Sequence, residues 1–270
     1  MKILRPWSYV VVLFLLAATS TAQVRSQVIQ SSELETYLQK AKVTKAREIP
    51  TGLTIPRKLD LDLNGVIHSG VFKFIDENVA LKVFEDGTKE PNFQDSYLTE
   101  IAAYEVDKII GLGMVPTTVE RKFDGKTGSL QFFVDSEMTQ GTRLSKNITP
   151  PDATRWNRQW EKSMLFDNLI YNMDRNQGNL LINKDWEIIL IDHSRSFRTW
   201  NKLKDPTTMP HFSESLLEGL GRLNETILKE KTGKYLSNDQ RKSLLKRRDL
   251  ILELAKKSSQ EKGTANVLYP

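Results

Sequence analysis

The fold is decided by the stretch Tyr171-Asn172-Met173-Asp174-Arg175-Asn176-Gln177-Gly178-Asn179, which is followed by Ile191-Asp192-His193-Ser194. Asp174 and Asn179 lie five positions apart across a loop that contains Gly178, so both side chains can face one cavity. Residues 180–182 and 188–191 are apolar runs of strand length around a polar turn, which predicts a hairpin. Such a hairpin returns Asp192 to a place beside Asn179. Two carboxylates and one amide are therefore predicted to meet at a single site.

The predicted site offers only oxygen ligands. The chain has no cysteine, and its three histidines are far apart in sequence, so thiol catalysis and clusters of Cys or His around a metal are excluded. Carboxylate and amide oxygens suit Mg²⁺ or Mn²⁺, which complete their shells with substrate phosphates. In phosphoryl transfer one Asp orients the acceptor hydroxyl, the expected role of Asp174, while an Asn and a second Asp hold the metal, the expected role of Asn179 and Asp192. The competing interpretation is a loop of Asp, Asn and Gly that only satisfies its own backbone.

The elements around this site change character near residue 150. From Leu59 the apolar residues alternate, Asn64-Gly65 is a hairpin turn signal, and short strand candidates follow over residues 66–75, 79–84, 114–121 and 129–134. Asp95-Ser96 can cap a helix that ends near Ile110, before Gly111. The second half reads as helices over residues 153–171, 213–231 and 238–257. We expect an α+β protein with a β-rich first half and a mainly helical second half.

These motifs carry a family resemblance. The spacing from Asp174 to Asn179 is that of the protein-kinase catalytic loop, and Asp174-Arg175-Asn176-Gln177-Gly178-Asn179 resembles the Asp-Arg-His-x-x-Asn of phosphoinositide 3-/4-kinases. Asp192-His193-Ser194 stands where kinases carry Asp-Phe-Gly. The order of elements over residues 60–200 is similar to the atypical branch of the kinase-like superfamily, which includes phosphoinositide kinases, HipA-type toxins and secretory-pathway kinases. The resemblance implies a two-lobed kinase-like fold.

The resemblance also implies an ATP site. A kinase pairs a strand Lys with a helix Glu to grip the phosphates, and Glu100 fits the second role. Lys73 and Lys82 compete for the first role; Lys73 is favoured, and Lys82, in Val-Ala-Leu-Lys-Val-Phe, is the alternative. Val134 follows a predicted strand at the place of the hinge that meets adenine. There is no G-x-G-x-x-G, and Asn64-Gly65 and Ser69-Gly70 are weak substitutes for a phosphate-covering loop.

The first residues predict export. Lys2 and Arg5 precede an apolar run over residues 10–18, and Ser20-Thr21-Ala22 fits a cleavage site, so residues 1–22 are predicted to be a signal peptide, with an uncleaved anchor as the alternative. The protein is then periplasmic, secreted or in the secretory-pathway lumen. The predicted division continues with a linker or arm at 23–58, an N-terminal lobe at 59–135, a hinge at 136–151 and a C-terminal lobe at 152–270.

Composition limits the partners. The formal net charge of +5 is modest, so we expect no nucleic-acid partner. The basic run over residues 241–248 is expected to be a solvated helix face, with a weak patch for anionic lipid or phosphate as the alternative. The expected function is transfer of the γ-phosphate of ATP to a hydroxyl of a protein, lipid or small molecule. The alternatives are a pseudokinase or nucleotide-binding module, a nucleotidyl transferase, and an exported metal-binding or envelope-structural domain without catalysis.

Overall fold

The computed structural model describes residues 31–50 and 56–270, and the predicted signal peptide lies outside them. The described chain forms two lobes that meet at the predicted site. The elements of the first lobe are α1 (Ser31–Lys40), β1 (Lys42–Glu48), β2 (Arg57–Leu63), β3 (Val66–Lys73), β4 (Asp76–Val83), β5 (Lys89–Ser96), α2 (Tyr97–Ile110), β6 (Thr118–Phe123) and β7 (Lys126–Phe132). The alternating pattern from Leu59 and the Asn64-Gly65 turn are confirmed by the antiparallel pairing of β2 with β3.

A five-stranded antiparallel sheet in the order β1-β2-β3-β7-β6 is the backbone of this lobe. The expected arm at 23–58 is wrong for its described part, because α1 and β1 are built into the lobe. Leu38 is fully buried, and the Tyr37 hydroxyl donates to the Leu61 carbonyl at 2.8 Å. The apolar residues of α1 are too few for the sequence to predict that this helix packs against the sheet.

Strands β4 and β5 form a separate hairpin that leads directly into α2. Ser96 is the N-cap of α2, its side chain accepting from the amide of Leu98, and Gly111 ends the helix with a left-handed φ of 75°. The predicted helix is confirmed at both ends. Its N-terminus is fixed against the second lobe, since the Ser96 amide donates to the Ser194 carbonyl at 3.0 Å.

The second lobe begins earlier than predicted. Its elements are β8 (Met138–Thr139), α3 (Gln140–Ser145), α4 (Ala153–Ile170), β9 (Leu180–Ile182), β10 (Ile188–Leu190), β11 (Phe212–Ser213), α5 (Glu214–Arg222), α6 (Glu225–Thr232), α7 (Asn238–Lys262) and β12 (Leu268–Tyr269). The predicted hinge at 136–151 is wrong beyond its first residues, because β8 pairs with β9 and thereby satisfies that strand's free edge. The α4 helix and the β9–β10 hairpin are confirmed.

Two further expectations about the second lobe need correction. The helix predicted over 213–231 is two helices, because Leu223 is extended and Asn224 caps α6 by accepting from the Ile227 amide. The basic run is a solvated face only in part, because Lys242 and Lys246 are exposed whereas Arg241 and Arg247 are buried. Arg247 donates to the carbonyls of Leu169, Arg198 and Trp200 and lies under α4. Within the described residues, no helix has the length and apolar character needed to cross a bilayer.

Candidate active site

Five of the predicted site residues line one cavity of about 600 Å³ between the lobes. Lys73, Val134, Asp174, Asn179 and Asp192 all contribute to its walls. The floor comes from the loop after α4 and the β9–β10 hairpin, and the roof from β3 and β7. The cavity therefore unites Lys73 and Asp192, which are 119 positions apart in sequence.

Lys73 lies between two carboxylates. Its Nζ is 2.5 Å from Glu100 Oε1 and 2.7 Å from Asp192 Oδ1. Burial alone would lower the pKa of Lys73, but Glu100 and Asp192 raise it above its ordinary value of 10.5. Burial would likewise raise the pKa of Glu100, yet the ammonium of Lys73 and a hydrogen bond from His193 hold it well below 4.5. Lys73 and Glu100 are therefore both charged at neutral pH.

The backbones of β3 and β7 approach each other closely beside Lys73. Gly128 on β7 faces the carbonyl of Lys73, and a Cβ at Gly128 would clash with that carbonyl and with the ring of Phe72. The absence of a side chain lets β7 pair tightly with β3 beside Lys73.

Lys82 lies elsewhere. It is on β4, where its Nζ pairs with Glu77 at 2.6 Å and lies over the ring of Phe93. Its resemblance to the kinase strand motif is local, because β4 belongs to the hairpin and not to the five-stranded sheet. The structure thus brings Lys73, and not Lys82, to Glu100 and Asp192.

The loop after α4 is held by its own amide groups. Asn179 Nδ2 donates to the Asp174 carbonyl at 2.9 Å, and Asn176 Nδ2 donates to Asp174 Oδ1 at 3.3 Å. The amide of Ile191 donates to the carbonyl of Asn179, which sets Asp192 beside the loop as the hairpin predicted. Asp192 itself has a left-handed φ of 60°, a conformation that Asp tolerates better than most residues.

Arg175 is a structural centre of this loop. Its guanidinium forms a fork with the buried Asp167, at 2.8 and 3.1 Å, and donates to the carbonyls of Asn179 and Ile191. It also contacts His193 Nε2 at 3.0 Å. Arg175 and His193 are thus both hydrogen-bonded inside the fold.

Several cavity residues had no functional assignment from sequence, among them Asp95, Arg195 and Ile49. Asp95 was predicted only as a helix cap, yet Ser96 makes that cap and Asp95 lines the cavity. Burial raises the pKa of Asp95 above 3.8, opposed by a hydrogen bond from Ser194 and reinforced by the nearby Asp192. No local signal in the sequence marks Asp95, Arg195 or Ile49 as a cavity residue.

Neither glycine pair that the sequence offered for a phosphate-covering loop lines the cavity. Asn64-Gly65 is the β2–β3 turn, and a Cβ at Gly70 would meet the side chain of Leu130, so both glycine pairs serve the sheet. The cavity is instead bordered by Ile49 and Pro56, at the ends of the β1–β2 connection. Val134 and Phe133, which follow β7, also line the cavity.

The donor set fits Mg²⁺ or Mn²⁺. Asn179 uses its amide nitrogen on Asp174, which leaves its amide oxygen for another partner, and the Asp192 carboxylate is 38% exposed. Among the described residues, no group of three His, Asp or Glu forms a metal cage. Mg²⁺ needs no such cage, since it is commonly held by one or two protein ligands with phosphate oxygens.

Solved structures share this architecture. A hydra Fam20 structure with sugar matches with a TM-score of 0.65 and 18% identity over 90% of this chain and 93% of that chain. The Golgi casein kinase matches with a TM-score of 0.62 and 15% identity, over 88% and 77%. The Helicobacter pylori proinflammatory kinase CtkA matches with a TM-score of 0.51 and 13% identity, over 83% and 98%. The protein therefore has the two-lobed α+β fold of the kinase-like superfamily.

The sequence comparison points to the atypical branch of that superfamily. Phosphatidylinositol 4-kinase type 2-beta of Xenopus tropicalis is 30% identical over an alignment of 168 residues. The match covers 46% of this chain and 34% of the relative, so it spans about a third of the relative's length. No family model matches the chain. Together with the Fam20, Golgi and CtkA structures, the match confirms the resemblance to the atypical kinases.

Proposed function

We propose that the protein is an ATP-dependent phosphotransferase that moves the γ-phosphate to a hydroxyl acceptor. The observation that carries the proposal is the contact of Lys73 with both Glu100 and Asp192 in a cavity that also holds Asp174 and Asn179. A lone turn motif would not need a buried Lys on a distant strand. This contact favours a kinase over an exported domain whose loop serves only structure.

Each residue has a role in this proposal. Lys73, fixed by Glu100, would grip phosphate oxygens, and Val134 would meet the adenine at the hinge. Asn179 and Asp192 would hold Mg²⁺ or Mn²⁺, which supplies charge neutralisation of the phosphates when bound. Asp174, kept in place by Asn176, would orient the acceptor hydroxyl and accept its proton. The acceptor is a protein, a lipid or a small molecule.

We also propose that the protein acts after export. The basis is the predicted signal peptide at 1–22, and a structural neighbour named as a Golgi kinase agrees with it. The same segment left uncleaved would anchor the protein to a membrane. Any nucleotide must then be supplied in the exported compartment.

Thermal unfolding with ATP and Mg²⁺ or Mn²⁺ tests the proposal. Ligand at a hundred times its dissociation constant adds about 2.7 kcal/mol to the free energy of unfolding, which raises the midpoint temperature measurably. We expect a metal-dependent shift that is lost in Asp192→Ala. Asp185→Ala, on the exposed β9–β10 turn, is the matched control and should keep the shift. A protein with no shift under any nucleotide would contradict the proposal and favour the exported binding domain.

Replacing Asp174 tests the chemistry. Asp174→Asn keeps the shape but removes the proton acceptor, so we expect turnover to fall by about 10²–10⁴ while nucleotide binding persists. The measurement is release of ADP against pyrophosphate by the unchanged protein and the variant. Pyrophosphate as product would indicate nucleotidyl transfer, and binding without turnover would indicate a pseudokinase. An unchanged rate in the variant would remove Asp174 from the mechanism.

A further inference from the structure

We propose that His193 is a positioning residue that couples the loop carrying Asp174 to helix α2 carrying Glu100. Its side chain contacts Arg175 of the loop at 3.0 Å, while its backbone amide donates to Glu100 Oε2, also at 3.0 Å. One residue thus links the acceptor-binding part of the second lobe to the phosphate-gripping part of the first. The kinetic consequence rests on the proposed phosphotransferase function.

The side-chain contact completes the hydrogen bonding of Arg175. A guanidinium has five N–H donors. Arg175 directs two of them to Asp167 and two to the carbonyls of Asn179 and Ile191, and His193 Nε2 lies at the remaining one. Without the imidazole, a donor of a buried cation would lack a partner, which is unfavourable.

The contact fixes the tautomer of His193. A guanidinium can only donate, so the Nε2 that faces it must carry a lone pair and no proton. The single ring proton of a neutral imidazole is then on Nδ1. This atom has no hydrogen-bond partner within the described residues and lies 3.7 Å from Glu100 Oε2. The Nδ1–H group is therefore directed toward the carboxylate that holds Lys73.

Packing of the protein interior alone would not require an imidazole at position 193. His193 is fully buried and its ring packs edge-on against Phe166, so an apolar ring would satisfy packing alone. A buried imidazole costs free energy unless it is bonded. The hydrogen bond from Arg175 to Nε2 offsets part of that cost, and the Glu100 carboxylate of the other lobe is the nearest polar group to Nδ1. If the hydrogen bond matters and not only the packing, a variant that keeps the volume of the ring should behave differently from a variant that keeps a hydrogen-bond acceptor for Arg175.

The tautomer can be measured on the full chain without nucleotide. We expect ¹⁵N chemical shifts of His193 that show Nδ1 protonated and Nε2 unprotonated, with His193→Gln assigning the signals among the three histidines. An Nε2-protonated or doubly protonated ring would overturn the proposal. Because this readout needs no ATP, its failure is distinct from a failure of the nucleotide test with Asp192→Ala.

Enzyme kinetics provide a second test of the role proposed for His193. His193→Phe keeps the ring and removes the acceptor, so kcat/KM for the metal–ATP complex should fall about 10-fold, as for loss of a hydrogen bond to a charged group. The KM for the acceptor should stay the same. His193→Gln can present an amide oxygen to Arg175 and should recover part of the loss. His68→Phe, a replacement of a half-buried histidine ring in the first lobe, is the matched control.

Two results of the kinetic arm would overturn the proposal. An unchanged kcat/KM in a folded His193→Phe protein would show that the imidazole only fills space. If that variant does not fold, His193→Gln and His193→Leu are compared instead, since both remove the ring. Equal activity of these two variants would mean that the acceptor at Nε2 has no part in positioning.

Discussion

At the residue scale, the choice between two lysines decides what the cavity can bind. Lys73 and Lys82 are nine positions apart on strands that follow each other in sequence but belong to different sheets, and each follows apolar residues. Lys73 is held by two carboxylates inside the cavity, whereas Lys82 pairs with the one-third exposed Glu77. A partly exposed ion pair such as that of Lys82 with Glu77 contributes at most about 1 kcal/mol to stability. The two positions therefore differ in burial and partners more than in local sequence.

Substitution of each lysine separates their roles. Lys73→Met should abolish the stabilisation by metal–ATP, because the phosphates lose their cation and Glu100 and Asp192 lose their counter-charge. Lys82→Met should retain it. Nucleotide-induced shifts of the unfolding temperature measure both, with circular dichroism to show that each variant is folded. The reverse pattern would assign the phosphates to Lys82.

Asp95 makes a prediction about pH. Its folded pKa is raised above 3.8 by burial, so its ionised form lowers the free energy of unfolding at neutral pH. This destabilisation disappears in acid, as the pH falls through the pKa of Asp95 in the folded protein toward its pKa in the unfolded chain. Asp95→Asn should therefore raise the unfolding temperature at pH 7, with the gain vanishing in acid. Asp86→Asn is the opposite control, since hydrogen bonds from Thr88 lower the pKa of Asp86. A loss of stability in Asp95→Asn at pH 7 would refute the burial argument.

At the element scale, helix α2 places Glu100 through its first turn. Ser96 caps the helix, and Thr99 Oγ1 donates toward carbonyls of Ser96, His193 and Ser194. The N-terminus of α2 is thus fixed to the segment that follows Asp192. Loss of the cap should affect both the helix and the contact between Lys73 and Glu100.

Ser96→Ala tests that link. We expect a loss of about 1 kcal/mol in stability from the missing cap, together with weaker binding of metal–ATP. Asn224→Ala removes the equivalent cap from α6, far from the cavity, and should lower stability by a similar amount without changing nucleotide affinity. Chemical denaturation and nucleotide titration measure the two effects. Equal affinity in both variants would show that the cap of α2 does not position Glu100.

At the scale of the whole molecule, the β4–β5 hairpin ties the lobes together. Glu90 pairs with Arg195 and with Arg198, at 2.8 Å in the second case, and the Gln94 amide donates to the Ser196 carbonyl. Burial lowers the pKa of Arg198, opposed by Glu90, so the carboxylate compensates a desolvated cation. The hairpin therefore closes one side of the cleft by charge as well as by backbone contact.

Glu90→Gln should loosen this closure. Two largely buried guanidinium groups would lose their shared counter-charge, and we expect the free energy of unfolding to fall by about 2 kcal/mol or more. Glu77→Gln, which breaks the Lys82 pair in the same hairpin, should change it little. Urea denaturation of both variants measures the difference. Equal effects would mean that the contact between the lobes is no stronger than a surface ion pair.

What the sequence alone determined is local. The caps of α2 depend on neighbouring residues, so Ser96 and Gly111 marked the two ends of this helix correctly. Asp174, Asn179 and Asp192 lie within one loop and at the end of the hairpin that follows it. Their spacing along the chain was therefore enough to predict a common site. The kinase-like fold followed from that motif and from the order of elements.

Only the tertiary structure decided the long-range pairings. Lys73 meets Asp192 across 119 positions, and Arg247 becomes a buried donor because α7 packs beneath the end of α4. The placement of Asp95 in the cavity depends on how the β4–β5 hairpin meets the second lobe. Sequence patterns report on contacts within a few residues, whereas these side chains obtain their partners from distant segments. Their charge and burial are therefore fixed by the assembled fold.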